Sequence, residues 1–451
     1  MKNIAIIGSG LSGLTTAWYA RHFDPEANIT VFGTDHKSGH IATEIHENVK
    51  LEKGPGFLLL ENPVLHFILH QMGIKLSPIK EKIYVLKDGY YNKAPSGFME
   101  FENGRFSFLS GGLASLMGMK KKFTPREGVS FFDFLKSTYG LTYAETFGSV
   151  FARSVLFCEA ENLNFQAAWP GFYEAVKKGL NLKQALAFLQ TEDQKFLDTA
   201  FGDTLKFSYQ PGLYYYNDGL GKLMELLVEN LKSRNVHFEF SRISEINGHN
   251  NDYHLNTKKN KYGSFNNVVF AIAARDQAPL WKSHQKELSQ KLGEPGYRQV
   301  SYVYSAYNIK DFNRAGLGFF ASRKEKLTIS GSYFVNAYSK DTEKENVFLT
   351  RSVIPGDLSL FNDQELTAIQ IENFEKVFGL KSAPLWSRVY RHEFAAPLLD
   401  KNYVPWVKSL RELAAYNKGI ELTGKDFCGG DMSAVLQDAF NIAHRLCKTT
   451  L

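Results

Sequence analysis

The chain has 451 residues, 44% of them hydrophobic and 22% charged, with a formal net charge of +6. This is the composition of a globular protein long enough for two or three hydrophobic cores. The modest positive charge points to acidic small molecules or anionic lipid and away from nucleic acid, and no RNA-type motif, zinc-type Cys/His spacing or repeat is present.

Asn3 to Phe32 organise the rest of the sequence. The branched run Ile4 to Ile7 predicts a fully buried parallel strand. It ends in Gly8-x-Gly10-x-x-Gly13, and Leu14 to Arg21 reads as a helix leading to a second strand, Ile29 to Phe32. Glycines in this context give a tight turn, let backbone approach a pyrophosphate, and bring helix against strand; the helix N-terminus then faces the phosphates. The acid expected at the end of the second strand, for the ribose hydroxyls, is replaced by Gly33. Asp35, two residues further, is either the substitute, if the loop bends back, or an ordinary turn aspartate, and an acid restored at Gly33 is expected to tighten the nucleotide.

Residues 41–51 alternate and meet a second glycine-rich stretch, Gly54-Pro55-Gly56-Phe57. Asn62-Pro63 opens a helix over 64–72, stopped at Gly73. Lys87-Asp88-Gly89 between Ile83–Leu86 and Tyr90-Tyr91 reads as a hairpin. Residues 106–119 are apolar and run into Lys120-Lys121-Lys122, a pattern that fits either a monotopic membrane contact or a buried segment with a solvated end. Residues 129–200 are helical in tone. Leu223–Leu231 is an amphipathic helix, and a polar hairpin at 249–252 precedes a buried strand at 268–274. That order predicts the second half of a nucleotide-binding domain, returning after a long insertion. Residues 298–356 alternate as strands, 363–378 reads as a helix, and a strand at 420–424 leads through Gly429-Gly430-Asp431 into a final helix, 433–446.

Lys2 and the apolar residues after it belong to the βα unit and not to a signal peptide. No run of 18 apolar residues occurs. Cys158, Cys428 and Cys447 are few and scattered, so a reduced, cytoplasmic chain is expected.

These motifs together resemble the FAD-dependent protoporphyrinogen/coproporphyrinogen oxidases, within the flavin amine-oxidase superfamily. Ser38-Gly39-His40-Ile41-Ala42-Thr43 stands on the family's G-G-K-I-x-T, and Glu52-Lys53-Gly54-Pro55-Gly56-Phe57 on E-R-G-P-x-S-F. Leu163 to Pro170 resembles L-S-x-R-A-A-F-P. Gly316 to Phe320 with Gly331-Ser332 resembles the G-F-G-x-L-V-P…G strand pair, and Gly424 to Met432 the closing G-N-S-Y-x-G-V-G-V.

The resemblance implies an α/β fold with a Rossmann-like, glutathione-reductase-type FAD-binding domain in three parts (1–78, 209–295 and 412–451). Inserted into it are a mostly helical domain (79–208), the candidate for substrate and membrane contact, and a sheet-based substrate domain (296–411). It implies FAD on Gly8, Ser9, Gly10, Leu11, Ser12 and Gly13, on Asp35, Gly39 and His40, and on Gly54, Pro55, Gly56 and Phe57. Ile243, Gly424, Gly430, Asp431 and Met432 complete the cofactor set. Phe98, Met99, Arg105 and Phe165 are the candidate substrate residues, with Met99 standing where some members carry an arginine for a propionate. Gly33, Ser38 and Asp431 also depart from the family's pattern.

The implied reaction takes hydride from a porphyrinogen carbon to flavin, so the cofactor carries the chemistry and no catalytic side chain is named. A tetrapyrrole is the expected partner, with peripheral membrane contact through 106–123 and oligomerisation left open. Two alternatives stay open. An amine or polyene oxidase is the first, although Asp431-Met432-Ser433 lacks the aromatic pair of amine oxidases. The second is a non-catalytic member that binds a tetrapyrrole or a protein.

Overall fold

A computed structural model describes residues 2–34, 40–87, 89–93, 125–180, 209–429 and 432–447, with scattered positions between 184 and 198. Strand Asn3–Ile7 is the centre of a five-stranded parallel sheet. Strands Asn28–Phe32 and His237–Glu239 lie on one side of it, and Asn267–Phe270 and Ile420–Leu422 on the other. Both faces of the central strand are covered, which is why it is apolar throughout. Ile4 and Ile6 pack with Leu14, Trp18 and Ile442, whereas Ala5 and Ile7 share a core with Ile246, Tyr253 and Phe270.

Helices Leu11–Phe23 and Met432–Cys447 lie together on the first face, with Tyr19 edge-on to Phe440 at 4.9 Å between ring centroids. The second face carries a three-stranded antiparallel sheet, Ile243–His249, Asp252–Thr257 and Lys261–Phe265. The parallel strands all end toward one side, so residues 8–13, 33–34, 271–273 and 423–426 converge beyond their carboxyl ends. That crevice is where open α/β sheets bind ligands.

A seven-stranded sheet stands beyond it, in the order Trp386–Pro397, Tyr297–Asn308, Val347–Pro355, Gly331–Phe334, Gly318–Ala321, Ile83–Lys87, Tyr90–Lys93. Helix Asp363–Phe378, whose N-terminus is closed by a reciprocal Asn362–Glu365 capping box, covers one face. Its Phe374 stacks on Tyr307 and packs with Phe312, Phe319, Phe334 and Phe348. The other face, with Val300, Tyr302, Tyr333 and Val353, turns toward the nucleotide-binding sheet.

Two segments sit differently from the sequence reading. The hairpin at 83–93, assigned by sequence to the helical insertion, is the edge of the seven-stranded sheet, parallel to Gly318–Ala321. Buried Val85 and Leu86 need the apolar cover that an isolated hairpin lacks. Helix Tyr403–Ala415, which the sequence boundary at 411 divides between the sheet domain and the FAD-binding domain, buries Tyr403, Trp406, Leu410 and Ala414 in the same core as Ile7 and Phe270. Between 125 and 180 the insertion is helical, from Phe131–Tyr139 to Pro170–Lys177. The three cysteines are free. No helix among the described residues is long and apolar enough to cross a membrane. The apolar and lysine-rich stretch 106–123 lies outside the described residues.

Candidate functional site

The three fingerprint glycines differ in what they meet. A Cβ on Gly13 would lie 1.9 Å from the Gly8 carbonyl oxygen, and one on Gly8 would lie 2.4 Å from that of Ala271. Both glycines therefore permit close backbone packing. Gly8 also has φ of +125°, and its N–H donates to Phe32 O at 2.7 Å. Gly10 is the opposite case: a Cβ there meets nothing within 4 Å. Gly10 is also the N-cap of helix Leu11–Phe23, with no side chain bonded to the helix start. The first helical backbone bond is Leu14 N to Gly10 O at 2.9 Å, which leaves the preceding amides for an anion.

A cavity of about 960 Å³ opens at this loop and runs to the seven-stranded sheet. Gly8, Ser9, Gly10, Leu11, Ser12, His40, Gly54, Pro55, Gly56, Phe57, Ile243, Gly424 and Met432 all line it. Gly13 stands behind the loop. Asp35, Gly39, Gly430, Asp431, Phe98, Met99 and Arg105 lie outside the described residues.

Phe165 requires a correction. It is fully buried and stacked on Phe134, with ring centroids 3.9 Å apart, inside the helical core and away from the cavity wall. The apolar helical insertion needed an aromatic centre, and Phe165 supplies it.

At the outer end the cavity passes Phe32, Gly33, Thr34, Ser241, Arg242 and Ile243. The reading of Gly33 as a vacant acid position also changes. A Cβ on Gly33 would stand 2.2 Å from Ser9 Oγ and 2.7 Å from Ser9 Cβ, so the serine fills the room that a side chain at 33 needs.

The middle of the cavity is formed by 40–42, 53–57 and 424–426. Gly54 is glycine because its Cβ would fall 1.8 Å from His40 O, where two chain segments cross. Gly424, at φ +110°, approaches Ser12 Oγ, so the last glycine turn meets the first. Lys425 Nζ donates to Phe394 O at 2.9 Å and Ala395 O at 2.7 Å, and lies 2.5 Å from His40 Nε2. Burial lowers Lys425 to about 8, with Arg298 and Arg275 acting the same way and Asp426 opposing them. His40 lines the cavity and keeps part of its surface exposed. Desolvation by the cavity wall, followed by the charges of Lys425 and His392, lowers its pKa, so the imidazole is neutral and accepts from the ammonium.

Glu52, in the same motif, does not reach the cavity. Its carboxylate accepts from Leu220 N at 2.9 Å, Thr43 Oγ1 at 2.8 Å and Tyr215 OH at 3.3 Å, closing the N-terminus of helix Leu220–Ser233. Burial raises its pKa to about 7 against those bonds.

The far wall comes from the sheet and went unnoticed in sequence. Tyr302, Tyr333, Arg351, Val353, Arg298 and His392 face the cavity, with Ser154 to Phe157 of the helical insertion beside them. Phe57 stands edge-on to Tyr333 at 5.0 Å, and the Arg351 guanidinium lies 3.7 Å from the Tyr302 ring centroid. Alternation in strand Tyr297–Asn308 was readable, but the strand is buried on both faces from Val300 to Tyr307. The sequence therefore carried no sign of which face was the wall.

The described residues fit a dinucleotide. Gly10, the one of the three fingerprint glycines with open space above it, faces the cavity, an uncapped helix start points there, and the volume is at the upper end of small-ligand pockets. The apolar and aromatic inner wall suits a flat group.

Comparison with known proteins agrees. Residues 11–403 match the flavin containing amine oxidoreductase family. A relative from Bacillus subtilis (strain 168), coproporphyrinogen III oxidase, is 21% identical over 455 residues, covering 95% of this chain and 94% of that protein. A solved structure from Exiguobacterium sp. 255-15, provisionally named protoporphyrinogen oxidase, superposes with a TM-score of 0.74 at 17% identity over 99% of this chain and 98% of its own. Cyclohexylamine oxidase from Brevibacterium oxydans superposes at 0.68 with 13% identity, over 99% and 98%.

Proposed function

The chain belongs to the flavin containing amine oxidoreductase family and is an FAD-dependent oxidoreductase, and from that premise we propose that it oxidises a porphyrinogen to the porphyrin. One observation carries the reading. A single cavity joins the glycine loop to an aromatic wall that includes Phe57, Phe157, Tyr302 and Tyr333. The relative named coproporphyrinogen III oxidase, alike along almost the whole chain, supports it.

FAD, when bound, accepts hydride from carbon and passes electrons onward. The protein's part is holding and orienting. The amides at the start of helix Leu11–Phe23 would take the pyrophosphate, with Gly10 leaving room for it. Backbone at Gly54–Gly56 and Gly424 would lie against the flavin portion. Tyr302 and Tyr333 would hold the substrate ring flat and keep water from it. Lys425 keeps a protonated ammonium beside neutral His40 below about pH 8. The same reading includes peripheral membrane contact through 106–123, because porphyrinogens are poorly soluble and easily autoxidised, which favours handover near a bilayer. The test is porphyrin fluorescence appearing from protoporphyrinogen or coproporphyrinogen in air, at a rate well above autoxidation and proportional to FAD-loaded protein.

A further inference from the structure

Two arginines on the sheet wall are more deeply buried than their charge allows without a partner. Arg298 is 4% exposed and Arg351 is 3% exposed, and both line the cavity. Each makes a hydrogen bond to a backbone carbonyl, Arg298 Nη1 to Leu156 O and Arg351 Nη2 to Gly54 O. In each the Nε atom is buried with no partner. Neither forms an ion pair with a carboxylate among the described residues.

The nearby acids pair with neither arginine. Asp426 Oδ2 accepts from Ala274 N at 2.8 Å and from the Tyr297 hydroxyl at 2.7 Å, its Oδ1 being buried without a hydrogen-bond partner, and Asp276 pairs with Arg242. Glu52 turns to Leu220 and Thr43. Lys425 adds a third cation to the same wall. Burying a guanidinium without an anion costs several kcal/mol, so such a group marks a place where an anion completes the site.

The two arginines are also separated. Arg351 pairs in register with Tyr304, and its guanidinium reaches back over the ring of Tyr302, four residues along the strand from Arg298, which is about 13 Å of extended chain. One small anion therefore does not satisfy both. A flat ligand bearing carboxylates at opposite edges does, whereas an ammonium substrate meets repulsion from all three cations.

We propose that Arg298 and Arg351 form the carboxylate-recognising face of this cavity, each taking a carboxylate at a different edge of the substrate. For the ligand's identity this rests on the porphyrinogen reading; for its charge it rests on the arginines alone.

The experiment uses FAD-loaded protein and measures dissociation constants for coproporphyrin III, its tetramethyl ester and a naphthalene dicarboxylate. The wild type is expected to bind the free acid about 10- to 100-fold more tightly than the ester, the range of one charge-assisted hydrogen bond. Arg298→Gln and Arg351→Gln are each expected to reduce that preference, and the double variant to erase it, with ester binding unchanged when the forms are compared at equal flavin content. Equal binding of acid and ester by the wild type overturns the proposal, and that comparison holds even if a variant fails to fold. Arginine-dependent binding of the naphthalene dicarboxylate without any porphyrin binding leaves the carboxylate-recognising face standing and removes the tetrapyrrole. Porphyrin binding indifferent to ester and arginine leaves the tetrapyrrole and removes the carboxylate-recognising face. No binding of any probe ends both.

Discussion

Ser9 occupies the space that a side chain at Gly33 would need: a Cβ at 33 would stand 2.2 Å from Ser9 Oγ. The missing ribose acid and the serine inside the glycine loop are therefore one feature. In this chain a small, locally packed contact replaces the acid at the end of strand Asn28–Phe32.

Gly33→Glu alone is consequently expected to weaken FAD, the reverse of the outcome anticipated from sequence. The new side chain must push Ser9, whose backbone belongs to the phosphate loop. Ser9→Gly with Gly33→Glu makes room and is expected to bind at least as tightly as wild type, by up to ~1–3 kcal/mol for a charge-assisted bond to the ribose. Calorimetric titration of apoprotein with FAD measures both. Tighter binding by the single variant would show that Ser9 swings aside freely.

Gly10→Val separates folding from binding. Its Cβ enters open space and Gly10 φ is −79°, which any residue adopts. The apoprotein should lose only about 1 kcal/mol, the cost of a poorer N-cap, yet hold no FAD. Gly13→Val is the contrast: with a Cβ 1.9 Å from Gly8 O it should fail to fold. Thermal melts and flavin content of the two variants check this, and stoichiometric FAD on Gly10→Val contradicts the assignment.

Glu52 predicts a pH dependence of stability. The folded state holds its proton up to about pH 7, whereas the unfolded chain releases it near the ordinary glutamate value. The folded state binds more protons across that window, so this group's contribution is fully present below about pH 4.5 and is lost as pH rises through 7. Glu52→Gln keeps a neutral side chain at every pH. It should gain on wild type by at most about 2–3 kcal/mol between pH 5 and 8 in urea unfolding. A constant difference across that range would show that Glu52 is ionised in the folded state throughout.

The proposed membrane contact predicts that Lys120→Glu, Lys121→Glu and Lys122→Glu together release the protein from anionic vesicles with flavin content unchanged. Each lysine contributes about 1 kcal/mol near such a surface, and the attraction is screened by salt. Equal sedimentation of both forms, or none of the wild type, removes the contact.

Much of the cofactor half of the molecule was legible because its signals are local. The run Ile4–Ile7, the glycines and the following helix state their own arrangement within a few residues. The substrate half was not, because its signals are between strands. Arg298, Arg351 and His392 come from three separate strands and meet only through sheet register. Strand Trp386–Pro397 itself is masked by Arg388, Arg391, His392 and Glu393, whose charges lie on a partly exposed edge. Gly33 misled for the same reason, since its neighbour Ser9 lies across the sheet.

The most direct test is anaerobic. FAD-loaded protein mixed with one equivalent of coproporphyrinogen or protoporphyrinogen should lose the visible absorption of oxidised flavin within seconds and, on admitting air, recover it and complete the six-electron oxidation to porphyrin over three flavin turnovers. A benzylic or alkyl amine at the same concentration should leave the flavin oxidised. Bleaching by the amine with none by either porphyrinogen, in protein that holds its FAD, would contradict the account and return the chain to the amine-oxidising branch of its family.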